Sequence, residues 1–190
     1  MTLFAARRRC SASGANRNPA WADCREVGLE WAGLAYNKTM IDPAKLSEAA
    51  QAARDTEATT GFPAQVTLCQ WALESGWGDH CPGNNCFGIK EYPGCYGQQQ
   101  LLTTEVFHGV AKKVYQWFAT FPTLTACFQK HAALITESPR YSIPWGNWLA
   151  NGDLDQFIDG VAQIYATDPE YANKLREVLG MSEVVGALEA

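Results

Sequence analysis

Residues 72–78 read Ala-Leu-Glu-Ser-Gly-Trp-Gly, and Glu74 stands there at the end of an apolar, helix-like run and against glycines and an aromatic ring. That is a setting for a general acid. The preceding stretch, Phe62 to Leu73, carries Val66, Leu68, Cys69, Ala72 and Leu73 at spacings of a buried helical face, and Gly76 and Gly78 supply the stop. Glu74 is thus expected in a last helical turn. The partial negative charge of a helix C-terminus and burial beside Trp77 both disfavour a second negative charge, so both raise its pKa. A carboxylic acid still protonated near neutrality can give its proton to a leaving oxygen. Taken alone, a Glu near a helix end is more often solvated surface, and this motif supports no more than a possible glycosidase.

Four further strings follow in order: GNNCFGIK from Gly83, TTEVFHGVAKKV from Thr103, SPRY from Ser138, and YATDPEYANKL from Tyr165. Together with ALESGWG they resemble the catalytic domain of bacterial peptidoglycan N-acetylglucosaminidases, glycoside hydrolase family 73, which includes flagellar-rod-associated enzymes and many autolysins. The resemblance runs from about Pro43 to about Leu179. It implies an α+β, predominantly helical, lysozyme-like fold with a small β-hairpin lobe and a sugar-binding cleft between the two. It also implies hydrolysis of the β-1,4 bond between N-acetylglucosamine and N-acetylmuramic acid in glycan strands of peptidoglycan. The family's acid matches Glu74, a second carboxylate found on the β-lobe of several members matches Glu105, and an active-site tyrosine matches Tyr165, with Tyr171 in the same motif. Asn85, Phe87, Gly88 and Lys90 fall on the family's loop after the acid, and the resemblance implies that Asn85, Phe87 and Lys90, with Tyr171, contact the substrate. The position of the second carboxylate differs among members, so Glu105 stands on weaker ground than Glu74.

Sequence leaves the mechanism open. Two carboxyl groups roughly 6.5–9.5 Å apart leave room for a water and inversion, whereas about 5–5.5 Å implies direct attack and retention. A third route uses the substrate's own 2-acetamido oxygen, steered by Tyr165. The alternative functions are a non-catalytic glycan-binding or envelope-assembly protein, and a muramidase or lytic transglycosylase on a similar fold. His80, His108 and His131 lack the nucleophile motif of an amidase or peptidase.

The elements that must position these groups are mostly helical. Pro43–Glu57 places Leu46, Ala49, Ala50 and Ala53 on one side, and Thr59 to Pro63 breaks it. Leu101 to Phe107 and a second strand through Val114 to Phe118 read as a hairpin turning at His108-Gly109. Helices are expected over Leu124–Ile135 and Asp153–Tyr165, and a last one follows Asp168-Pro169 and ends near Gly180, with Asp168 as its cap. His131 reads as a helix-face histidine. Trp145 to Trp148 reads as a loop. Among the aromatics, Trp77, Tyr141 and Tyr165 are expected in the cleft and most others in the core.

Seven cysteines are present, and three, Cys81, Cys86 and Cys95, crowd into the loop after Glu74. One bridge among these three is expected to staple a loop that lacks a regular hydrogen-bond ladder. Their spacing is not that of paired Cys-x-x-Cys ligands, so neither metal nor cofactor is expected. Cys69, on the apolar face of the acid's helix, reads as a buried small hydrophobe.

A chain of 190 residues, 47% hydrophobic and 18% charged, fits one globular catalytic domain over residues 41–190. Residues 1–40 read as a partly disordered extension, with an amphipathic stretch from Trp21 to Met40. No apolar run of seven follows Arg7, Arg8 and Arg9, so a secretory signal is not evident, although a wall substrate places the enzyme in the cell envelope or outside the cell. A misassigned start, assisted export or release by lysis would each account for that. No segment approaches the roughly twenty apolar residues of a membrane span. The net charge of −5 and pI of about 5.2 argue against a nucleic-acid partner, and a monomer is the simplest state.

Overall fold

The structure, a computed structural model, describes residues 41–107 and 110–190, apart from the side chains of residues 105–107. The expected N-terminal extension and the His108-Gly109 turn lie outside the described residues.

Helix α1 (Pro43–Thr60) opens with Asp42, whose Oδ1 accepts from Ala44 N at 2.9 Å, and with Pro at the first turn. It ends on Gly61 at φ 73°. Its buried face is Leu46, Ala49, Ala50, Ala52, Ala53 and Thr56. That alanine surface lets α2 (Ala64–Ser75), α3 (Leu124–Thr136) and α7 (Ser182–Glu189) approach it closely. The core between them is filled by Phe62, Leu68, Trp71, Phe128, Phe157 and Ile158, each at most 2% exposed.

Helix α4 (Ser142–Asn151) contains the Trp145 to Trp148 segment, which therefore is a helix and not a loop. Pro144 falls in its first turn, where a missing N–H breaks no helical bond, and Gly152 ends it at φ 64°. Helix α5 (Leu154–Tyr165) is capped by Asp153, whose Oδ1 accepts from Gln156 N at 3.0 Å. A Cβ on Gly160 would sit 2.6 Å from Pro144 Cβ, so this glycine is what allows α4 and α5 to touch.

Helix α6 (Tyr171–Leu179) starts two residues after Pro169. Asp168 caps the turn leading into it, accepting from Glu170 N at Oδ1 (2.9 Å) and from Tyr171 N at its carbonyl (3.1 Å). Helix α7 then extends the chain beyond the helix end expected near Gly180 and packs on α1.

Strands β1 (Gly97–Phe107) and β2 (Val110–Thr120) form one antiparallel pair, in register from Gly97 opposite Thr120 to Phe107 opposite Val110. Both are longer than the sequence pattern indicated. The hairpin is tied at its base to the loop between α2 and β1: Glu91 N donates to the carbonyl of Trp117, and Ala119 N to that of Ile89. The result is a helical body with a two-stranded lobe beside it.

Candidate active site

Glu74 occupies the last turn of α2, as its sequence setting implies. The five residues from Glu74 to Gly78 form a tight reversal. Ser75, fully buried, donates from Oγ to the Trp71 carbonyl (2.6 Å) and accepts at the same oxygen from Gly78 N (2.8 Å). Gly76, Trp77 and Gly78 all have left-handed backbone, at φ 58°, 61° and 83°. For Trp77 that conformation is strained, and the chain holds it by setting the indole edge against Trp71, ring centres 6.2 Å apart. A Cβ on Gly78 would come within 2.8 Å of Trp71 Cζ2. Beyond the turn, Asp79 meets Lys45 of α1 at 2.7 Å.

Opposite Glu74, α6 packs against α2 and brings in Tyr171, which is buried and donates from Oη to Glu74 Oε1 at 2.6 Å. Tyr165, at the end of α5, stacks on Tyr171 with ring centres 5.6 Å apart. Behind Tyr165 stands His131, which is not a surface residue of its helix: it is 2% exposed, stacks on Phe87 at 3.9 Å and meets Phe62 and Tyr165 edge-on. Burial among these rings pushes its pKa down to about 3, so it is a neutral packing residue across the ordinary pH range.

Burial raises the pKa of Glu74, and the Tyr171 hydroxyl, which favours the carboxylate, opposes that rise. Tyr171 itself is held well above the usual phenol range, first by burial and then by the charge of Glu74. The pair is therefore a carboxyl group poised toward its protonated form, with a neutral O–H ready to support the anion once the proton leaves.

The other expected site residues divide. Phe87 is placed beside His131 and Phe128, on the route from the loop to Tyr165. Trp77 is half-buried beside the acid. Asn85 is 4% exposed and its amide is consumed by backbone, donating to the carbonyls of Ile89 (2.8 Å) and Ala119 (2.9 Å) and accepting from Ile89 N (2.9 Å). It ties the loop to the hairpin, which is a scaffold role and not the substrate contact expected. Lys90 bridges to Phe118 through its backbone and sets Nζ 4.3 Å from the Phe118 ring centre. Tyr141, expected in the cleft, lies in the hydrophobic core at 5% exposure, because the Pro139–Tyr141 turn points it inward between α3 and α5; it has no open face for a sugar. Glu105 takes its place in β1 opposite Lys112, two pairs from the end of the hairpin, and its side chain lies outside the described ones.

Cys81 and Cys86 are bridged, the disulfide closing the loop that leads to Phe87. Cys69 and Cys127 are buried thiols with pKa values pushed up to about 12, and Cys95 is a third free thiol. Among the described residues no cluster of three or more His, Cys, Asp or Glu could hold a metal, and no helix is long and apolar enough to cross a membrane. Gln70 escaped the sequence reading. It sits one turn before Glu74 with no exposed surface, and the pattern could have exposed it as an amide inside an apolar helical face.

The sequence profile of the glucosaminidase family, described as mannosyl-glycoprotein endo-beta-N-acetylglucosaminidase, matches residues 50–182, from the middle of α1 to the start of α7, with Glu74, Tyr165 and Tyr171 inside the match. The chain belongs to this family. The peptidoglycan hydrolase FlgJ of Salmonella typhimurium is 34% identical over 146 residues, which cover 70% of this chain and 45% of that protein. The chain thus spans less than half the length of this relative. Among solved structures, a peptidoglycan hydrolase mutant from Sphingomonas sp. A1 is 30% identical with a TM-score of 0.61, covering 78% of this chain and 99% of that one. The truncated glycoside hydrolase domain of Salmonella typhimurium FlgJ is 31% identical with a TM-score of 0.58, covering 73% and 95%. The lysozyme-like α+β fold expected from the resemblance is the fold found, and the chain is a domain of the glucosaminidase family.

Proposed function

We propose that this glucosaminidase cleaves the β-1,4 bond between N-acetylglucosamine and N-acetylmuramic acid in peptidoglycan, with Glu74 as the general acid. The observation that carries the reading is the Tyr171 to Glu74 hydrogen bond in a part-buried pair whose carboxyl is held toward its protonated form. Glu74, protonated, gives its proton to the glycosidic oxygen as the bond to the anomeric carbon breaks. The carboxylate left behind accepts the Tyr171 O–H, which was already in place, so no reorganisation is needed when charge develops. Glu105, carried by the hairpin, acts as base for a water or as an electrostatic partner to the developing oxocarbenium ion. Tyr165 faces the same cleft and steers the 2-acetamido group, and Trp77 supplies a ring for stacking. A cell-wall substrate places the protein in the envelope or outside the cell.

The test is mass spectrometry of purified peptidoglycan digested by the wild type and by Glu74→Gln, with borohydride reduction marking the new reducing end. Fragments from the wild type alone, ending in N-acetylglucosamine, are expected. Ends in N-acetylmuramic acid or its anhydro form would replace this reading with a muramidase or transglycosylase, and binding without fragments would replace it with a glycan-binding module.

A further inference from the structure

We propose that Gln70 is a positioning residue for the acid: its carboxamide N–H donates to the phenol oxygen of Tyr171 as Glu74 becomes a carboxylate, and so holds the Tyr171 O–H on Glu74 Oε1. The inference rests on Glu74 being the general acid.

Gln70 and Glu74 are four residues apart on α2, and therefore lie one above the other on a single face of the helix. That face meets α6, from which Tyr171 reaches Glu74. Gln70 has no exposed surface, yet neither its Nε2 nor its Oε1 makes a hydrogen bond of full geometry. A buried amide left in that state carries its whole desolvation cost, and an apolar side chain of similar size would avoid it, so packing alone does not account for a glutamine here.

The direction of the missing bond follows from what Tyr171 has left to offer. Its one proton is committed to Glu74, so its oxygen can only accept. Gln70 can turn its amide so that the NH2 faces that oxygen and donates to it. In agreement, the Gln70 side chain favours the ionised side of Tyr171, against the burial and the Glu74 charge that dominate there. Catalytic hydrogen bonds are often long before substrate binds and close only in the reacting complex. A donor on the phenol oxygen polarises the O–H and strengthens its bond to the carboxylate. Tyr171 keeps its proton throughout, and the proton transferred is that of Glu74.

The groups around Glu74 in this account are few. Tyr171 comes from α6, Tyr165 stands behind it on α5, and neutral His131 lies behind Tyr165 on α3. Burial and the Tyr171 hydroxyl are what bear on Glu74's protonation among the described residues.

The experiment compares wild type, Gln70→Leu, Gln70→Met, Tyr171→Phe, Gln70→Leu/Tyr171→Phe and Glu74→Gln on soluble peptidoglycan fragments, measuring kcat and KM from pH 4 to 9 with thermal unfolding of each variant. Loss of the amide donor weakens the Tyr171 O–H as a donor and raises Glu74's pKa further. The basic limb of the kcat profile should therefore move to higher pH in both Gln70 variants, in the direction taken by Tyr171→Phe. In both, kcat should fall up to about tenfold, one neutral hydrogen bond's worth, with KM unchanged and Tm equal or higher. The double variant should be no slower than Tyr171→Phe alone, because Gln70 acts through that oxygen. An unmoved limb, or a double variant in which the two losses multiply, overturns the proposal. If Glu74→Gln is inactive in either of those cases, the acid stands and only the role of Gln70 falls; an active Glu74→Gln overturns both.

Discussion

A carboxyl group held toward its protonated form at Glu74 ties activity and stability to the same proton. The proposed catalysis needs the protonated form, and activity is expected to decline as pH rises through the raised pKa of Glu74, since the acid then has no proton to give. Stability responds in the same sense. The native pKa lies above the unfolded value near 4.5, so the stability associated with Glu74 is fully present below that value and is lost as pH rises through the native pKa. Glu74→Gln keeps the shape without the titration. It should lower activity by about 10²–10⁴-fold, yet unfold at a higher temperature than wild type above pH 7, with the difference vanishing near pH 4. Calorimetry across that range checks it, and a variant less stable at every pH would contradict it. His131 works with the opposite sign. Its native pKa of about 3 lies below the unfolded 6.5, so its contribution is present above 6.5 and drains away as pH falls from 6.5 toward 3. His131→Leu should flatten that acid-side loss in the same calorimetric series.

At the scale of elements, the site depends on how the turn after α2 is built. Gly78→Ala puts a methyl group into the Trp71 ring at a backbone angle that alanine resists, and should cost about 1–3 kcal/mol in urea unfolding. Activity should fall further than stability requires, because the same shift displaces Trp77 and Glu74. This turn was legible in the sequence because all its parts, an apolar helical run, a carboxylate and two glycines, are neighbours in the chain. The pairing of Tyr171 with Glu74 spans 97 residues, and nothing in local pattern connects them; only the family resemblance put both near a cleft. Helix α4 was hidden for a different reason. Pro144 and Gly146 look like loop residues, and their tolerance depends on Pro144 falling in the first turn and on Gly160 of α5 leaving room for it. Asn85 is expected at the substrate from its place in a motif and Tyr141 only as one of the cleft aromatics, whereas the fold spends Tyr141 on the core and Asn85 on three backbone hydrogen bonds. The bridge expected in the cysteine loop formed between Cys81 and Cys86, and a loop that short is expected to give about 2 kcal/mol by the chain-entropy rule, lost on reduction.

For the molecule as a whole, the decisive quantity is charge. Residues 41–190 carry seventeen Asp and Glu against nine Lys and Arg, and the full chain has a net charge of −5. A peptidoglycan strand bearing peptide carboxylates is also anionic, so long-range forces between this domain and the proposed substrate are repulsive. Two of the nine basic groups, Lys174 and Arg176, are already engaged by Asp168, Asp155 and Asp159, and Lys45 by Asp79. Binding must come from short-range contacts in the cleft, from rings and hydrogen bonds that salt hardly screens. Raising ionic strength from about 0.01 M to 0.15 M shortens the screening length from about 30 Å to 8 Å and removes most of the repulsion while leaving those contacts intact. The rate on whole sacculi at low substrate should therefore rise or hold over that interval, with KM falling and kcat unchanged. A phosphate-seeking or wall-seeking basic surface would give the reverse, a steep fall with salt, as counterion release does for proteins that bind polyanions. Measuring kcat/KM on sacculi at four salt concentrations separates the two, and a falling series would mean that Lys112 and Lys113, side by side near the end of the hairpin, draw the anionic strand in despite the charge of the domain.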